Sequence, residues 1–272
     1  MKKIFAGFIL PLLIISFTCL SSCKNKASRQ QKKTEKEEVN VIKDQIESNV
    51  YPLPTSAEVI RMLTDLEVGY EFGICNPVQN SKKYFQSSTR AINLGVFGAD
   101  LSYATLYNQQ QQVFNYLDAI KSLSNELNIS KIYNQDLYTK IKQNFDSKDT
   151  LVKVLKGSFN DTYAYLNDND MQPLALLVVG GAWVEGMYLT THVSEAAYQV
   201  AGISKVLLQQ KTSFYTFLEI TQPYLNVPMV SDFVMKMDSV KKVYEGLGTS
   251  LTEQNIKDIT KVIVDVREQI VQ

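Results

Sequence analysis

Two carboxylates stand alone in long apolar stretches of the sequence, Asp100 in residues 93–103 (Asn-Leu-Gly-Val-Phe-Gly-Ala-Asp-Leu-Ser-Tyr) and Glu185 in residues 180–188 (Gly-Gly-Ala-Trp-Val-Glu-Gly-Met-Tyr). Burial without a partner raises the pKa of a carboxyl group well above its ordinary range. If the two groups faced each other, they could serve as general acid and general base. The structural alternative is that each accepts hydrogen bonds from Tyr, Ser or Arg across a helix interface, which is the commoner role of buried polar groups.

Aromatic residues accompany these carboxylates and could complete a binding pocket. We name Asp100, Tyr103, Trp183 and Glu185 as candidate ligand-binding residues. Tyr188 could also line such a pocket, although large aromatic residues on an internal helix more often belong to the core.

The single histidine, His192, excludes several kinds of site. Ferritin-like di-iron sites need a Glu-x-x-His pair on each of two helices, and zinc-peptidase motifs need two histidines on one helix. A Ser-His-Asp or Cys-His site would have to use His192, which lies two helical turns beyond Glu185. The acidic stretch at residues 167–170 lacks the glycine and glutamate of a calcium-binding EF-hand loop. We therefore predict no catalytic residues, no metal site and no cofactor.

The segment from Pro173 to Val193 must position Glu185, and it is apolar on every side of a helical wheel. Such a helix has to be surrounded by other helices. A second internal helix, about Thr89 to Tyr107, would carry Asp100. Gly95, Gly98 and Ala99 on this helix would let neighbouring backbones approach closely, and Gly180 and Gly181 would permit close packing of the central helix. Around these two we predict amphipathic helices and no strands. The predicted fold is an all-α bundle of about eight or nine helices around the central apolar helix.

Local signals mark several of the predicted helix ends. Asn134 is expected to cap a short helix, and Asp146 or Ser147 to open the next. Pro228 precedes a stripe that runs as one helix to Leu247, and Ser250 with Glu253 forms a capping-box pattern before the last helix. The segment between Ser194 and Pro223 shows a weak point at Gly202.

The N-terminus has the pattern of a bacterial lipoprotein. Lys2 and Lys3 precede an apolar run from Ile4 to Leu20, typical of a secretory signal peptide and shorter than a membrane-spanning helix. Leu20-Ser21-Ser22-Cys23 resembles a lipobox. This resemblance implies cleavage before Cys23, a diacylglyceryl thioether on Cys23 and usually N-acylation such as palmitate. Two or three acyl chains would hold the protein firmly on a membrane.

Three segments follow from this pattern: a signal peptide at residues 1–22, a lipidated cysteine with a flexible tether at 23–50, and one helical domain at 51–272. The tether is charged and polar, so it cannot bury enough apolar surface to offset the entropy of ordering. Thr55 and Glu58 form a capping box that opens the domain. Cys75 is then the one unmodified thiol, and we expect it to be a small buried residue.

Lys24 follows the lipidated cysteine, which by analogy with known sorting rules favours the outer membrane. No acidic cluster follows Cys23, so we expect the periplasmic face rather than the cell surface. The formal net charge of +0 and the pI near 6.6 lack the basic character of nucleic-acid-binding proteins. The expected partners are therefore the membrane, through the lipid on Cys23, and a protein, but not nucleic acid.

The lipobox, Tyr-Pro-Leu-Pro-Thr at residues 51–55 and the two stretches around Asp100 and Glu185 together resemble a set of uncharacterised all-helical lipoproteins of Bacteroidetes. The resemblance covers nearly the whole mature chain. It implies the fold and the localisation in the cell envelope, but no activity. Our preferred hypothesis is a non-enzymatic protein-binding or scaffold module. The alternatives are a small-molecule or glycan binder with its pocket near Asp100 and Glu185, and an enzyme that uses these carboxylates.

Overall fold

The structure is a computed structural model that describes residues 70–195 and 201–272, apart from the side chains of Lys148 and residues 193–203. Nine α-helices and no strands lie within these residues. In chain order the helices are α1 (Ser87–Leu106), α2 (Gln110–Glu126), α3 (Gln135–Gln143), α4 (Lys148–Asp168), α5 (Gln172–Glu195), α6 (Ala201–Thr221), α7 (Pro228–Lys236), α8 (Asp238–Glu245) and α9 (Glu253–Val271). Short 3₁₀ helices cover Val78–Lys83 and Gln222–Tyr224. The predicted all-α class is confirmed.

The central helix of the bundle is α5, as the sequence predicts. It is slightly longer than expected and begins at Gln172, which places Pro173 in its first turn, where the missing N–H is tolerated. By length and composition, Gln172–His192 is the one described segment that could cross a membrane, yet 78% of its most apolar stretch is buried. Its apolar character on all sides follows from this burial, because neighbouring helices cover each face.

Helix α1 packs on α5 at very short range, and glycines make this possible. A Cβ atom on Gly95 would overlap the carbonyl oxygen of Val178, and one on Gly181 would overlap the carbonyl oxygen of Ile92. The two backbones are therefore in direct contact. Gly98 has nothing within 4 Å of an added Cβ, so it does not serve the close approach that we expected of it.

Several helix ends match the local signals. The side chain of Asn134 accepts hydrogen bonds from the backbone N–H groups of Asp136 and Leu137, and Ser147 is the N-cap residue of α4. Helix α9 has a capping box, but Thr252 and Asn255 form it. The prediction that Ser250 and Glu253 would do so was wrong by two residues, because the helix begins at Glu253, which makes Thr252 the N-cap residue and Asn255 the third helical residue.

The helix predicted from Pro228 to Leu247 is two helices, α7 and α8. The break is at Met237, whose N–H donates to the carbonyl of Val234, one residue closer than in an α-helix. Met237 is fully buried, so its side chain holds this tightened turn in the core. Neither Gly nor Pro marks the position, so no local signal indicates the break.

The predictions for the N-terminal part lie outside the described residues. They concern the signal peptide, lipidation of Cys23, the tether and the helix that Thr55 and Glu58 would open. The weak point at Gly202 also adjoins undescribed positions, and α6 begins at Ala201.

Candidate functional site

Asp100 and Glu185 meet in the interior, next to the backbone contact between α1 and α5. Asp100 follows Gly95 by five residues on α1, and Glu185 follows Gly181 by four residues on α5. Both side chains are completely buried. Together with Arg267 from α9 and Cys75 from the segment before the first 3₁₀ helix, they form a group that we call the carboxylate cluster.

Arg267 holds Glu185 through two parallel hydrogen bonds. Its Nε donates to Glu185 Oε2 at 2.7 Å and its Nη2 donates to Oε1 at 2.9 Å. This paired geometry is the strongest form of a carboxylate–guanidinium contact. Nη2 also donates to the carbonyl of Ile74 at 3.3 Å, and the guanidinium stacks 3.9 Å from the centre of the Tyr188 ring. Burial alone would lower the pKa of Arg267, but the Glu185 carboxylate outweighs this effect and raises the pKa.

Asp100 has a different environment, without a cation bound to it. Its Oδ2 accepts a hydrogen bond from the backbone N–H of Asn76 at 3.2 Å, whereas Oδ1 is buried and accepts none. Burial raises the pKa of Asp100 well above its ordinary value, and the nearby Glu185 charge raises it further, while Arg267 and Cys75 act in the opposite direction.

Cys75 is the buried residue that we expected. It is a free cysteine with 6% of its surface exposed. Burial raises the pKa of its thiol, and the charges of Asp100 and Glu185 add to the rise. The thiolate is the nucleophilic form of cysteine, so this environment suppresses its reactivity.

Two asparagines connect the cluster to the C-terminal end of α9. The amide nitrogen of Asn76 donates to Tyr84 and to Asn93, and Asn93 donates to the carbonyl of Ile270 at 2.8 Å. Tyr84 in turn donates to the carbonyl of Val271 at 3.1 Å. This network satisfies carbonyl groups at the end of α9 that no further helical turn can use.

The structure does not gather the four candidate ligand-binding residues in one place. Tyr103 stacks on Tyr70, with 5.1 Å between ring centres, and accepts a hydrogen bond from the Glu71 N–H. The indole of Trp183 donates to Gln210 on α6 at 3.2 Å. Successive residues of an α-helix are about 100° apart, so Trp183 and Glu185 point to opposite sides of α5. Of the four, Asp100 and Glu185 belong to the carboxylate cluster, Tyr103 lies one turn beyond Asp100 on α1, and Trp183 faces α6.

Three of the cavities lined by described residues have no candidate residue in their walls. One of ≈ 530 Å³ lies between α6 and the loop before α9, and one of ≈ 660 Å³ lies between α3 and α4. The third, of ≈ 20 Å³, is enclosed beside Gly98 and could hold about one water molecule. General acid–base catalysis needs a carboxyl group within reach of a substrate, and these cavities give no such access.

His192 belongs to α5 and not to the cluster. Its ring lies 3.9 Å from that of Tyr188, and its Nδ1 is 2.8 Å from the Tyr188 carbonyl oxygen. Among the described residues, no group of three or more His, Cys, Asp or Glu side chains is arranged to hold a metal ion.

The chain matches no protein-family model, no curated protein and no solved structure.

The residue that sequence reasoning missed is Arg267. It lies four residues after Ile263 and three before Ile270, on the apolar stripe by which α9 faces the core. A charged residue on such a stripe indicates a buried partner of opposite charge. That signal was available, but its partner, 82 residues earlier in the chain, could not be identified from spacing.

Proposed function

We propose that this chain is a lipid-anchored envelope protein whose helical domain binds a partner protein or organises a complex without catalysing a reaction. The observation that supports this proposal is that Asp100 and Glu185, the candidate acid–base pair, are both completely buried, and that Arg267 holds Glu185 by two hydrogen bonds. A buried carboxylate whose two oxygens are both bonded to an arginine is shielded from substrates.

The described surface also carries large apolar side chains that a partner could cover. Phe72 is 74% exposed, Phe85 is 77% exposed and Met235 is 61% exposed. Aromatic and methionine side chains are enriched at protein–protein interfaces. Single exposed apolar residues are common, so these three positions are starting points for mapping a partner.

The experiment that tests the proposal is site-specific photocrosslinking in cells that produce the full chain. A photoreactive amino acid is placed at Phe72, Phe85 or Met235, and at the exposed polar residues Lys140 and Lys257 as controls. The proposal predicts one discrete adduct from at least one apolar position and none from the controls. Adducts that are equal at all five positions, or absent throughout, would contradict a specific partner.

The lipid anchor is tested separately. Intact-mass analysis of the membrane-extracted protein should find a chain that begins at Cys23 with added diacylglycerol, and a Cys23→Ala variant should lose both the cleavage and the lipid. An unmodified N-terminus at Met1 in the wild type would overturn the anchor but not the partner-binding proposal.

Small-molecule or glycan binding is a second candidate, favoured by the cavity between α3 and α4. Its volume of ≈ 660 Å³ is within the usual range for ligand pockets, and it is lined by Tyr165 and by charged residues such as Lys131, Asp136 and Asp161. Titration of a glycan library against the wild type and a Tyr165→Ala variant checks this candidate. Binding that survives the substitution unchanged would rule out this cavity as the site.

A further inference from the structure

We propose that Asp100 and Glu185 hold one proton between them in the folded protein, with Asp100 as the neutral carboxylic acid, so that the core forms an internal proton-binding site sensitive to alkaline pH.

The first argument is the unpaired oxygen of Asp100. Oδ1 is buried and accepts no hydrogen bond, although buried polar atoms are almost always paired. The carboxyl group of Glu185 is within hydrogen-bonding reach of Asp100. Two ionised carboxylates are both acceptors and cannot bond to each other. A proton on Asp100 supplies the missing donor and turns this contact into a hydrogen bond.

The second argument is the balance of charge. If both carboxyl groups were ionised, Arg267 would neutralise one of them and a net charge of −1 would stay in the interior. An uncompensated buried charge is strongly unfavourable. Because one proton removes this excess, the cluster becomes neutral with Asp100 protonated, Glu185 ionised and Arg267 charged.

The position of the proton follows from the contacts of each carboxyl group. Glu185 receives both hydrogen bonds from Arg267, which stabilise its charged form. Asp100 is bonded only by neutral groups, the backbone N–H of Asn76 and the thiol of Cys75. Asp100 is therefore the group that binds the proton at the lower cost in free energy.

Groups on the surrounding elements do not replace this proton. Cys75 comes from the segment before the first 3₁₀ helix, and Tyr116 comes from α2. Burial raises the pKa of both groups, so each is neutral at physiological pH. Other ionisable side chains that act on the cluster are the tyrosines Tyr70, Tyr84, Tyr103 and Tyr188, which are also neutral with a raised pKa. Among the described groups whose charge acts on Asp100, the positive charge is that of Arg267, which is already bonded to Glu185.

The consequence is a stability that depends on pH through Asp100. Its folded-state pKa lies above the unfolded value of about 3.9. The proton on Asp100 therefore makes its full contribution to the free energy of unfolding below about pH 4. This contribution decreases as pH rises and is lost once pH has passed through the folded-state pKa. Within this window one proton changes the ratio of folded to unfolded protein by about tenfold per pH unit.

The test compares the full-length wild type with Asp100→Asn and Glu126→Gln variants by urea unfolding from about pH 5 to about pH 9. The amide introduced by Asp100→Asn can donate a hydrogen bond to Glu185 without binding a proton from solution. The unfolding equilibrium constant of the wild type, divided by that of the variant, should therefore rise by up to about tenfold per pH unit. Glu126 is 58% exposed and pairs with Arg90, so Glu126→Gln is a matched control that should keep the wild-type slope. Equal slopes in all three proteins would overturn the proposal.

A second measurement does not depend on how well Asp100→Asn folds. Carboxyl ¹³C chemical shifts of the folded wild type, labelled at Asp and Glu, should show one aspartic acid that is still protonated near pH 7. In Glu185→Gln, Arg267 becomes the partner of Asp100, and the protonated signal should disappear. If every aspartate of the wild type is ionised near pH 7, or if the signal persists in Glu185→Gln, the shared proton is excluded.

Discussion

The contact between α1 and α5 has two parts that are held together by opposite means. At Gly95 and Gly181 the two backbones touch, and shape alone decides the fit. One turn further along each helix, Asp100 and Glu185 meet, and charge pairing and hydrogen bonds hold this part of the contact together. The glycine contact tolerates no added atom, whereas the carboxylate cluster tolerates no missing partner.

The carboxylate part of the contact explains why Asp100 and Glu185 resemble a catalytic pair when only the sequence is considered. A carboxylate inside an apolar helix has the same sequence signature whether it faces a substrate or an arginine. The arginine comes from the last helix, so the distinction depends on a contact across 82 residues of sequence.

The largest expected effect comes from removing the cation. Arg267→Met should lower the free energy of unfolding by about 3–5 kcal/mol, because Glu185 would be left as an unpaired buried charge. The variant also loses the contact of the guanidinium with the Tyr188 ring. Urea unfolding near neutral pH measures the change.

A double variant sharpens this prediction. Glu185→Leu together with Arg267→Met removes both charges, and replacing a buried ion pair by apolar residues is often neutral. The double variant should therefore recover most of the stability that Arg267→Met loses. If it is as unstable as the sum of the two single variants, shape and not charge limits this end of the contact.

The next effect concerns the glycine contact. Gly95→Ala should destabilise the domain by about 1–3 kcal/mol, since the added methyl group overlaps the backbone of Val178. Gly98→Ala, on the same helix, is the matched control. It meets nothing within 4 Å and should stabilise α1 by up to about 1 kcal/mol, the difference in helix propensity. Thermal unfolding of both variants gives the comparison, and equal effects would contradict a direct backbone contact at Gly95.

The smallest effect is expected at the surface. Arg90 and Glu126 form an ion pair at 3.1 Å, but the Glu126 side chain is 58% exposed. Glu126→Gln should change the free energy of unfolding by less than about 1 kcal/mol, because water screens exposed pairs. A loss comparable to that of Arg267→Met would show that burial is not what gives the carboxylate cluster its importance.

Much of the fold could be predicted from local patterns. The helix expected at Thr89 to Tyr107 is found at Ser87–Leu106, and the central helix is displaced by one or two residues at its ends. The cap at Asn134 depends on residues within one turn, so the sequence specifies it directly. The break at Met237 depends on how one side chain is held in the core, and no local pattern encodes that.

The candidate site was predicted only in part. Asp100 and Glu185 were identified because charge is rare on internal helices, and they do meet. Trp183 was grouped with them by closeness in sequence, although residues two apart on a helix point in opposite directions. Arg267 and Asn76 could not be assigned, because both reach the cluster from distant parts of the chain.

The most direct test of a closed, non-catalytic cluster is the reactivity of Cys75. In the Cys19→Ser, Cys23→Ser variant of the full chain, Cys75 is the one remaining thiol. We predict that a maleimide reagent leaves it unlabelled in the native protein and labels it fully in urea, because the thiol is buried and its pKa is raised. Rapid, stoichiometric labelling of Cys75 while the circular dichroism spectrum stays helical would show an open path to the carboxylates and contradict this account.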